Sequence, residues 1–172
     1  MRVIITGSKG QVGKELLKLA PSSFNIFAFD SKELDIKDHV KVRNTINKIQ
    51  PDFLINAAAY TAVDLAEDER ELAFEINSFA VKNLAIEMEK VNGTLIHIST
   101  DYVFSGLKLG NYNEKDIPDP KNIYGQIKLD GENSVINNIS KYIIIRTSWV
   151  YSSYDNNFLT TMLRLAKTND EL

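Results

Sequence analysis

Cysteine is missing from this sequence, and that absence already narrows the chemistry open to it. Without cysteine, disulfide bonds, thiolate zinc sites and a cysteine nucleophile are excluded. The two histidines, His39 and His97, lie far apart in the sequence, and His97 falls inside an apolar strand pattern typical of a core residue, so we expect no metal site. The N-terminus enters a strand pattern at once (RVIIT) without a basic and apolar leader, and we expect a cytoplasmic protein.

The sequence also lacks a strong charge of one sign and any long hydrophobic run. Lysine and arginine number 20 against 23 aspartate and glutamate residues, a formal charge of -3. Such a balance does not favour binding to a polyanion, so we expect no nucleic-acid partner. The longest apolar runs have only the length of a β-strand, so we expect no association with a membrane.

The 172 residues instead show short apolar runs that alternate with helical patterns. The apolar runs are residues 3–5, 26–29, 53–55, 95–98 and 142–145, and the helical patterns are residues 11–20, 40–49, 72–91, 124–136 and 158–166. This alternation indicates a parallel sheet covered by helices on both faces. We therefore predict a single α/β domain over residues 1–172, with a doubly wound, Rossmann-like parallel sheet. The longest irregular stretch, residues 106–122, is predicted to be a lid or binding loop, or disordered.

A glycine-rich turn follows the first predicted strand. The stretch TGSKGQVG places Gly7, Gly10 and Gly13 between that strand and the first helix. Glycines there let the backbone approach a pyrophosphate closely, and the helix N-terminus favours its negative charge. Gly13 would also allow the helix to pack closely against the strand. Glycines end strands for purely structural reasons too, but the strand-turn-helix context favours a dinucleotide site.

Two further features extend this predicted site. Asp30 ends the second strand, where an acidic residue can hydrogen-bond the adenosine ribose or simply cap a turn. Asp30 disfavours a ribose phosphate and Lys9 compensates for part of its charge, so the choice between NADH and NADPH stays open. Ala57, Ala58 and Ala59, at the end of the third strand, leave room for a ligand, although small residues also suit plain packing of a helix on the sheet.

Tyr124 is followed by a lysine four residues on, at Lys128. Helical spacing of four places both side chains on one face, so we expect the lysine ammonium to lower the pKa of the tyrosine toward the working range of a proton donor. The stretch STDYVF supplies hydroxyls at Ser99 and Thr100, at the end of the fourth strand. One of them is expected to hydrogen-bond a substrate oxygen.

Taken together, these residues resemble the extended short-chain dehydrogenase/reductases. The stretches GQVG, NAAAYTAVD, STDYVF, YGQIKLDGE and RTSWVY are similar, more narrowly, to the dTDP-4-dehydrorhamnose reductase family. The resemblance covers the whole chain. It implies that an NAD(P)H-dependent enzyme of dTDP-rhamnose biosynthesis reduces the 4-keto group of dTDP-4-dehydro-6-deoxy-L-mannose to give dTDP-L-rhamnose, with NADPH or NADH as cofactor.

The resemblance also implies roles for individual residues. Tyr124 would donate the proton, Lys128 would hold the nicotinamide ribose and tune the tyrosine, and Thr100 would hydrogen-bond the keto oxygen. The family positions that line the cofactor correspond to Gly10, Gln11, Val12, Asp30, Asp35, Ile36, Ala59 and Thr61, and those that meet the sugar nucleotide correspond to Asp101 and Trp149. Trp149 has an equally good alternative as a buried anchor at the end of the fifth strand.

Members of this family continue well past the length of this chain, and their remainder supplies later strands and most of the substrate-binding part. We therefore expect this chain to be the cofactor-binding part of a longer enzyme, with little turnover by itself. An uncovered apolar sheet edge or helix face would favour a homo-oligomer. Two other functions stay open: a non-catalytic dinucleotide-binding subunit, similar to the regulatory beta subunit of methionine adenosyltransferase, and a nucleotide-sugar epimerase with tightly held NAD.

Overall fold

The computed structural model describes residues 1–168, which form an alternating series of strands and helices. In chain order these are β1 (Arg2–Thr6), α1 (Gln11–Leu19), β2 (Asn25–Phe29), α2 (His39–Ile49), β3 (Phe53–Asn56), α3 (Arg70–Phe74), α4 (Ala80–Lys90), β4 (Thr94–Thr100), α5 (Ile123–Asn138), β5 (Tyr142–Thr147) and α6 (Phe158–Leu165). Every predicted strand and helix is present, and the predicted helix over residues 72–91 is divided between α3 and α4.

The strands form one parallel sheet in the order β2-β1-β3-β4-β5. The chain moves outward from β1 to β2 on one side and then returns to β3 on the other, so the order reverses between β1 and β3. In open α/β sheets a ligand binds outside the carboxyl ends of the strands at such a reversal. The predicted fold class, a doubly wound parallel sheet, is confirmed.

The main core lies between one face of the sheet and helices α2, α4 and α5. Ile4, Leu54 and Leu95, on three neighbouring strands, are fully buried on this face. They belong to one apolar cluster with side chains of the three helices, among them Val42, Ile46, Val81, Leu84, Met88 and Val135. Helix α1 covers part of the opposite face, where an apolar cavity of about 380 Å³ remains between that helix and the sheet.

A π-helical turn, Glu75–Phe79, joins α3 to α4 without a break in the helix. Asn77 lies in this turn and is 1% exposed. Its side chain accepts a hydrogen bond from the Tyr60 N–H (2.9 Å) and donates one to the Tyr60 carbonyl (2.9 Å). The turn therefore fixes the segment that follows β3, because both backbone groups of one residue are held by one buried amide.

A chain of buried polar side chains crosses the middle of the sheet. The Thr6 hydroxyl donates to the Asn56 Oδ1 (2.7 Å), and the Asn56 Nδ2 hydrogen-bonds the His97 Nδ1 (3.2 Å). His97 is fully buried, and burial, followed by the charge of Lys128, lowers its pKa well below the usual value. The prediction that His97 is a hydrogen-bonded core residue is confirmed, and a neutral imidazole is the form this environment favours.

The long segment at residues 106–122 is fastened at its base. Phe104 stacks on Tyr112 with ring centroids 4.3 Å apart, and Lys108 forms an ion pair with Asp116 at 2.7 Å.

Strand β5 lies at the edge of the sheet, with Ile143 half exposed. Among residues 1–168, no helix has the length and apolar character needed to cross a membrane.

Candidate active site

Two cavities lie side by side along the carboxyl ends of the strands. The β4 cavity, about 550 Å³, is bounded by the ends of β3, β4 and β5 and by the start of α5. The β2 cavity, about 590 Å³, is bounded by the glycine turn after β1 and the loop after β2. Both are lined by Gly10 and by residues 57–59, so they form one continuous cleft across the point where the strand order reverses.

Nearly every residue predicted for the site lines this cleft. The β4 cavity contains Gly10, Gln11, Val12, Ala57, Ala58, Ala59, Thr61, Thr100, Asp101, Tyr124, Lys128 and Trp149. The β2 cavity contains Gly7, Gly10, Asp30, Asp35, Ile36, Ala57, Ala58 and Ala59. Gly13 lines neither cavity. The structure therefore brings together residues that are more than a hundred positions apart in the sequence, such as Gly10 and Trp149.

The three glycines of the turn differ in how much space the structure leaves for a side chain. Gly7 has a positive φ of 70°, and a Cβ there would lie 2.7 Å from the Ala57 backbone. A Cβ on Gly13 would lie only 2.3 Å from the Gly7 carbonyl oxygen, so this glycine lets α1 pack against the turn. Gly10 is the N-cap of α1 and has room, since its Cβ would come no closer than 3.4 Å to the Gly7 oxygen. The close-packing interpretation of Gly13 thus fits its position better than contact with a ligand.

Asp30 both caps a turn and faces the β2 cavity. Its Oδ1 accepts hydrogen bonds from the backbone N–H groups of Lys32 (2.8 Å) and Glu33 (2.9 Å), and its Oδ2 pairs with the Lys9 ammonium. The bond from Lys9, helped by the backbone donors, lowers the Asp30 pKa to about 2. The carboxylate is therefore ionised at neutral pH, and Lys9 offsets its charge at the mouth of the cavity.

Tyr124 and Lys128 lie on the same face of α5 and are almost completely buried at the floor of the β4 cavity. The Lys128 Nζ donates to the Ile98 carbonyl at 2.7 Å. Burial lowers the pKa of Lys128 to about 8, and Glu132 opposes this shift. Burial, then the charges of Asp101 and Tyr102, raises the pKa of Tyr124 to about 12.

The expectation that Lys128 lowers the pKa of Tyr124 is therefore wrong for this structure. The phenol is held at 7% exposure, and burial disfavours its charged form. The Asp101 carboxylate acts in the same direction, and the lysine ammonium is engaged by the Ile98 carbonyl. The helical spacing placed the two groups correctly, but it contained no information about burial or about the anion nearby.

The STDYVF stretch turns sharply where β4 ends. The Thr100 hydroxyl accepts a bond from the Tyr102 N–H (3.2 Å) and donates to the Asp101 Oδ1 (3.1 Å). The Ser99 hydroxyl instead donates to the Glu132 Oε1 at 2.5 Å. Both residues line the β4 cavity, but the Ser99 hydroxyl donates to a buried carboxylate, whereas the Thr100 hydroxyl holds the turn.

Trp149 lies at the rim of the β4 cavity, just beyond β5. Its side chain is 74% exposed, and its ring meets the Phe158 ring edge to face at 5.1 Å. The alternative interpretation as a buried anchor of the fifth strand is therefore wrong. Its φ of 51° turns the chain sharply at this point.

Sequence reasoning missed three residues that support the site: Asn77, Glu132 and Arg146. Glu132 could have been found, because it follows Lys128 by four residues and so lies on the same helical face. Asn77 carries no comparable signal, since the π-helical turn that aims it at Tyr60 does not follow the α-helical period.

Comparison with known proteins identifies the family. A family model described as RmlD substrate binding domain matches residues 1–172. The dTDP-4-dehydrorhamnose reductase of Aggregatibacter actinomycetemcomitans is 44% identical over 173 residues, which cover 99% of this chain and 59% of that protein. The chain thus spans well under two thirds of the length of this relative.

Solved structures agree with this result. A crystal structure of dTDP-4-dehydrorhamnose reductase from Bacillus anthracis in complex with NADP superposes with a TM-score of 0.97 at 46% identity, covering 99% of this chain and 61% of that one. The UDP-glucose 4-epimerase of Thermus thermophilus, in complex with NAD, reaches a TM-score of 0.81 at 20% identity over 96% of this chain and 61% of its own, which shows a shared fold alone. By its family match and these identities, the chain belongs to the dTDP-4-dehydrorhamnose reductase family.

Proposed function

We propose that this chain is the dinucleotide-binding part of an NAD(P)H-dependent reductase that converts dTDP-4-dehydro-6-deoxy-L-mannose to dTDP-L-rhamnose. The observation that carries the proposal is the continuous cleft, which runs from Asp30 at one end to Thr100, Tyr124 and Lys128 at the other. The names of the relatives support the same reaction, and the Bacillus anthracis relative binds NADP.

The residues of the cleft fit a dinucleotide. The turn at Gly7 leaves no space for a side chain, and Gly10 presents the N-terminus of α1 without one, so the backbone there can meet a pyrophosphate. Asp30 would accept hydrogen bonds from the adenosine ribose, and Lys128 would donate one to the nicotinamide ribose. The remaining lining would come from Gln11, Val12, Asp35, Ile36, Ala57, Ala58, Ala59 and Thr61. When bound, the reduced dinucleotide supplies the hydride.

The residues at the other end of the cleft would transfer the proton and position the substrate. A reduction needs an acid that is protonated at the start, and Tyr124, with a pKa of about 12, is protonated at neutral pH. Thr100 would turn its hydroxyl proton from the Asp101 Oδ1 to the keto oxygen and hold that oxygen beside the phenol. Lys128, with a pKa of about 8, is still mostly an ammonium at pH 7, so it can hold the nicotinamide ribose as a hydrogen-bond donor. Asp101 and Trp149, at the rim, would contact the sugar nucleotide.

The test is Tyr124→Phe in the protein at its natural full length. Turnover of the dTDP-sugar with NADPH or NADH should fall by about a hundredfold or more, because the proton donor is lost. Dinucleotide affinity should change by less than about twofold, since only one hydroxyl is removed. Tyr142→Phe, on β5 and remote from the cleft, is the matched control and should leave both quantities unchanged.

Three outcomes would contradict the proposal. Full turnover by the Tyr124→Phe variant would remove the assigned acid. Dinucleotide binding without reduction of any dTDP-sugar would indicate a non-catalytic binding subunit. Purification with tightly held oxidised NAD, together with epimerisation of a nucleotide sugar, would indicate an epimerase.

A further inference from the structure

A buried carboxylate connects three elements next to the β4 cavity, which its hydrogen-bond partner Ser99 lines. Glu132, on α5, is 1% exposed. Its Oε1 accepts hydrogen bonds from the Ser99 hydroxyl (2.5 Å) and the Arg146 Nε (2.9 Å), and its Oε2 accepts one from the Arg146 Nη2 (2.7 Å). This two-pronged contact has the geometry in which arginine and carboxylate pair most strongly.

The position of this contact links it to the site. Ser99 and Arg146 are register partners across β4 and β5, and the next pair along the two strands is Thr100 and Thr147, both of which line the β4 cavity. Glu132 therefore holds the last step of both strands against α5. The same helix carries Lys128 one turn earlier and Tyr124 two turns earlier, on the same face.

Glu132 also supplies negative charge beside Lys128. Among residues 1–168, the titratable neighbours of this lysine are Glu132 and Tyr124, one turn away on either side along the same face of α5, and His97 on β4, which burial keeps neutral. The phenol of Tyr124 is uncharged near neutral pH, so Glu132 is the anion that favours the charged form of Lys128. Arg146 limits this effect, because it shares the carboxylate and also lies over the Phe104 ring at 4.8 Å.

We propose that Glu132 is a positioning residue of the reductase site, which fixes Thr100 and Thr147 against α5 and sets a negative charge beside Lys128. The inference rests on the proposed function, because it assigns Glu132 to the same hydroxyl and ammonium. A purely structural role would affect folding, whereas a positioning role also affects the rate and the charge of Lys128 in variants that remain folded.

The first experiment measures turnover in the protein at its natural full length. Glu132→Gln keeps the shape but removes the charge, and the double variant Glu132→Gln/Arg146→Met removes the guanidinium as well, so that it is not left partly buried without its partner. In both variants kcat should fall by about a hundredfold, because a displacement of about 1 Å at a reacting group has that effect. KM for the dinucleotide should change by less than about threefold.

A matched control exists at the other end of β5. Glu89 accepts hydrogen bonds from the Ser140 N–H (2.8 Å) and hydroxyl (2.9 Å), so it also ties a helix to the start of this strand with a carboxylate. Glu89→Gln is expected to leave kcat unchanged, because this contact is remote from the cleft.

The second experiment needs no ligand and no turnover. The Lys128 signal of the 172-residue chain, labelled with 13C-lysine and assigned by its loss in Lys128→Arg, is followed by NMR as a function of pH. Its midpoint should fall by on the order of one pH unit in both Glu132 variants, since a nearby opposite charge shifts a pKa by that amount. It should be unchanged in Glu89→Gln.

The outcomes separate this inference from the proposed function. If the wild-type protein reduces the sugar but folded Glu132 variants keep full kcat or an unchanged Lys128 midpoint, the inference fails and the proposed function stands. If the midpoint shifts as expected but the wild type reduces no dTDP-sugar, the proposed function fails, and the effect of Glu132 on Lys128 stands without a role in catalysis. Loss of folding in both variants would make Glu132 a folding residue and overturn the inference.

Discussion

Gly13 and Gly10, three residues apart in one turn, should respond to alanine in opposite ways. A Cβ on Gly13 would lie 2.3 Å from the Gly7 oxygen and 2.7 Å from the Ser8 Cα, and both are backbone atoms. Ordinary contact begins near 3.4 Å, so α1 would have to move away from the turn by about 1 Å. Overpacking of this kind costs about 3 kcal/mol. Alanine is favoured over glycine in a helix by up to about 1 kcal/mol, and Gly13 lies in the first turn of α1, so the net loss is about 2 kcal/mol.

Gly10→Ala should change the dinucleotide affinity more than the stability. Its Cβ would meet only the Gly7 oxygen, at 3.4 Å, and its φ of -74° suits any residue. Replacing glycine with alanine at an N-cap costs less than about 1 kcal/mol. The added methyl group, however, stands between the helix N-terminus and the cleft. We therefore expect dinucleotide affinity to fall by about tenfold or more, equivalent to about 1.4 kcal/mol.

Two measurements on the 172-residue chain check this pair. Thermal unfolding should show a fall of about 4–8 °C for Gly13→Ala and little change for Gly10→Ala, given the usual relation between free energy and Tm at this size. Fluorescence titration with NADPH should show the larger loss of affinity for Gly10→Ala. An unchanged Tm in Gly13→Ala, or equal losses of Tm in the two variants, would refute the assignment of one glycine to packing and the other to the ligand.

Two more predictions concern lysines of the cleft. The pKa of Lys128 is about 8 in the folded chain against its usual 10.5, so between these pH values the unfolded chain binds more protons and stability rises with pH. Lys128→Met should therefore raise the free energy of unfolding, measured with urea, by up to about 3 kcal/mol at pH 7 and by much less at pH 10. An equal gain at both pH values would contradict this. Lys9→Gln should lower the affinity for NADPH relative to that for NADH by about two- to fivefold at low salt, because the charge of Asp30 is no longer offset. Lys18→Gln, which removes a lysine of α1 that pairs with Glu15, is the control and should leave this ratio unchanged.

The sequence was sufficient for the fold because the pattern and the environment agree. Apolar runs such as residues 95–98 are long enough for a buried strand and too short for a helix, and the structure places Leu95 in the core and His97 in the polar chain beside it. The parallel order follows from the alternation with helices. The π-helical turn at Glu75–Phe79 could not be predicted, because a single extra residue shifts the helical pattern at one point only and both flanking stretches still show the α-helical period.

For the site, position was predictable and environment was not. The spacing of Tyr124 and Lys128 correctly placed both groups in one cavity, but the raised pKa of the tyrosine depends on burial and on Asp101, which a different element supplies. Trp149 shows the same limit. Tryptophan is usually buried, yet here it lies exposed at a rim, because the sharp turn after β5 carries it away from the sheet.

The π-helical turn between α3 and α4 gives one continuous helix two separate orientations. Each residue of an α-helix advances by about 100°, so one extra residue rotates everything before the turn relative to everything after it by roughly that angle. Ala73 is thereby buried in the small cluster beside Tyr124, while Leu84 is buried in the main core. Deleting a single residue from Glu75–Phe79 would therefore force a choice between these two packing faces, whereas a deletion in an exposed loop would leave both intact.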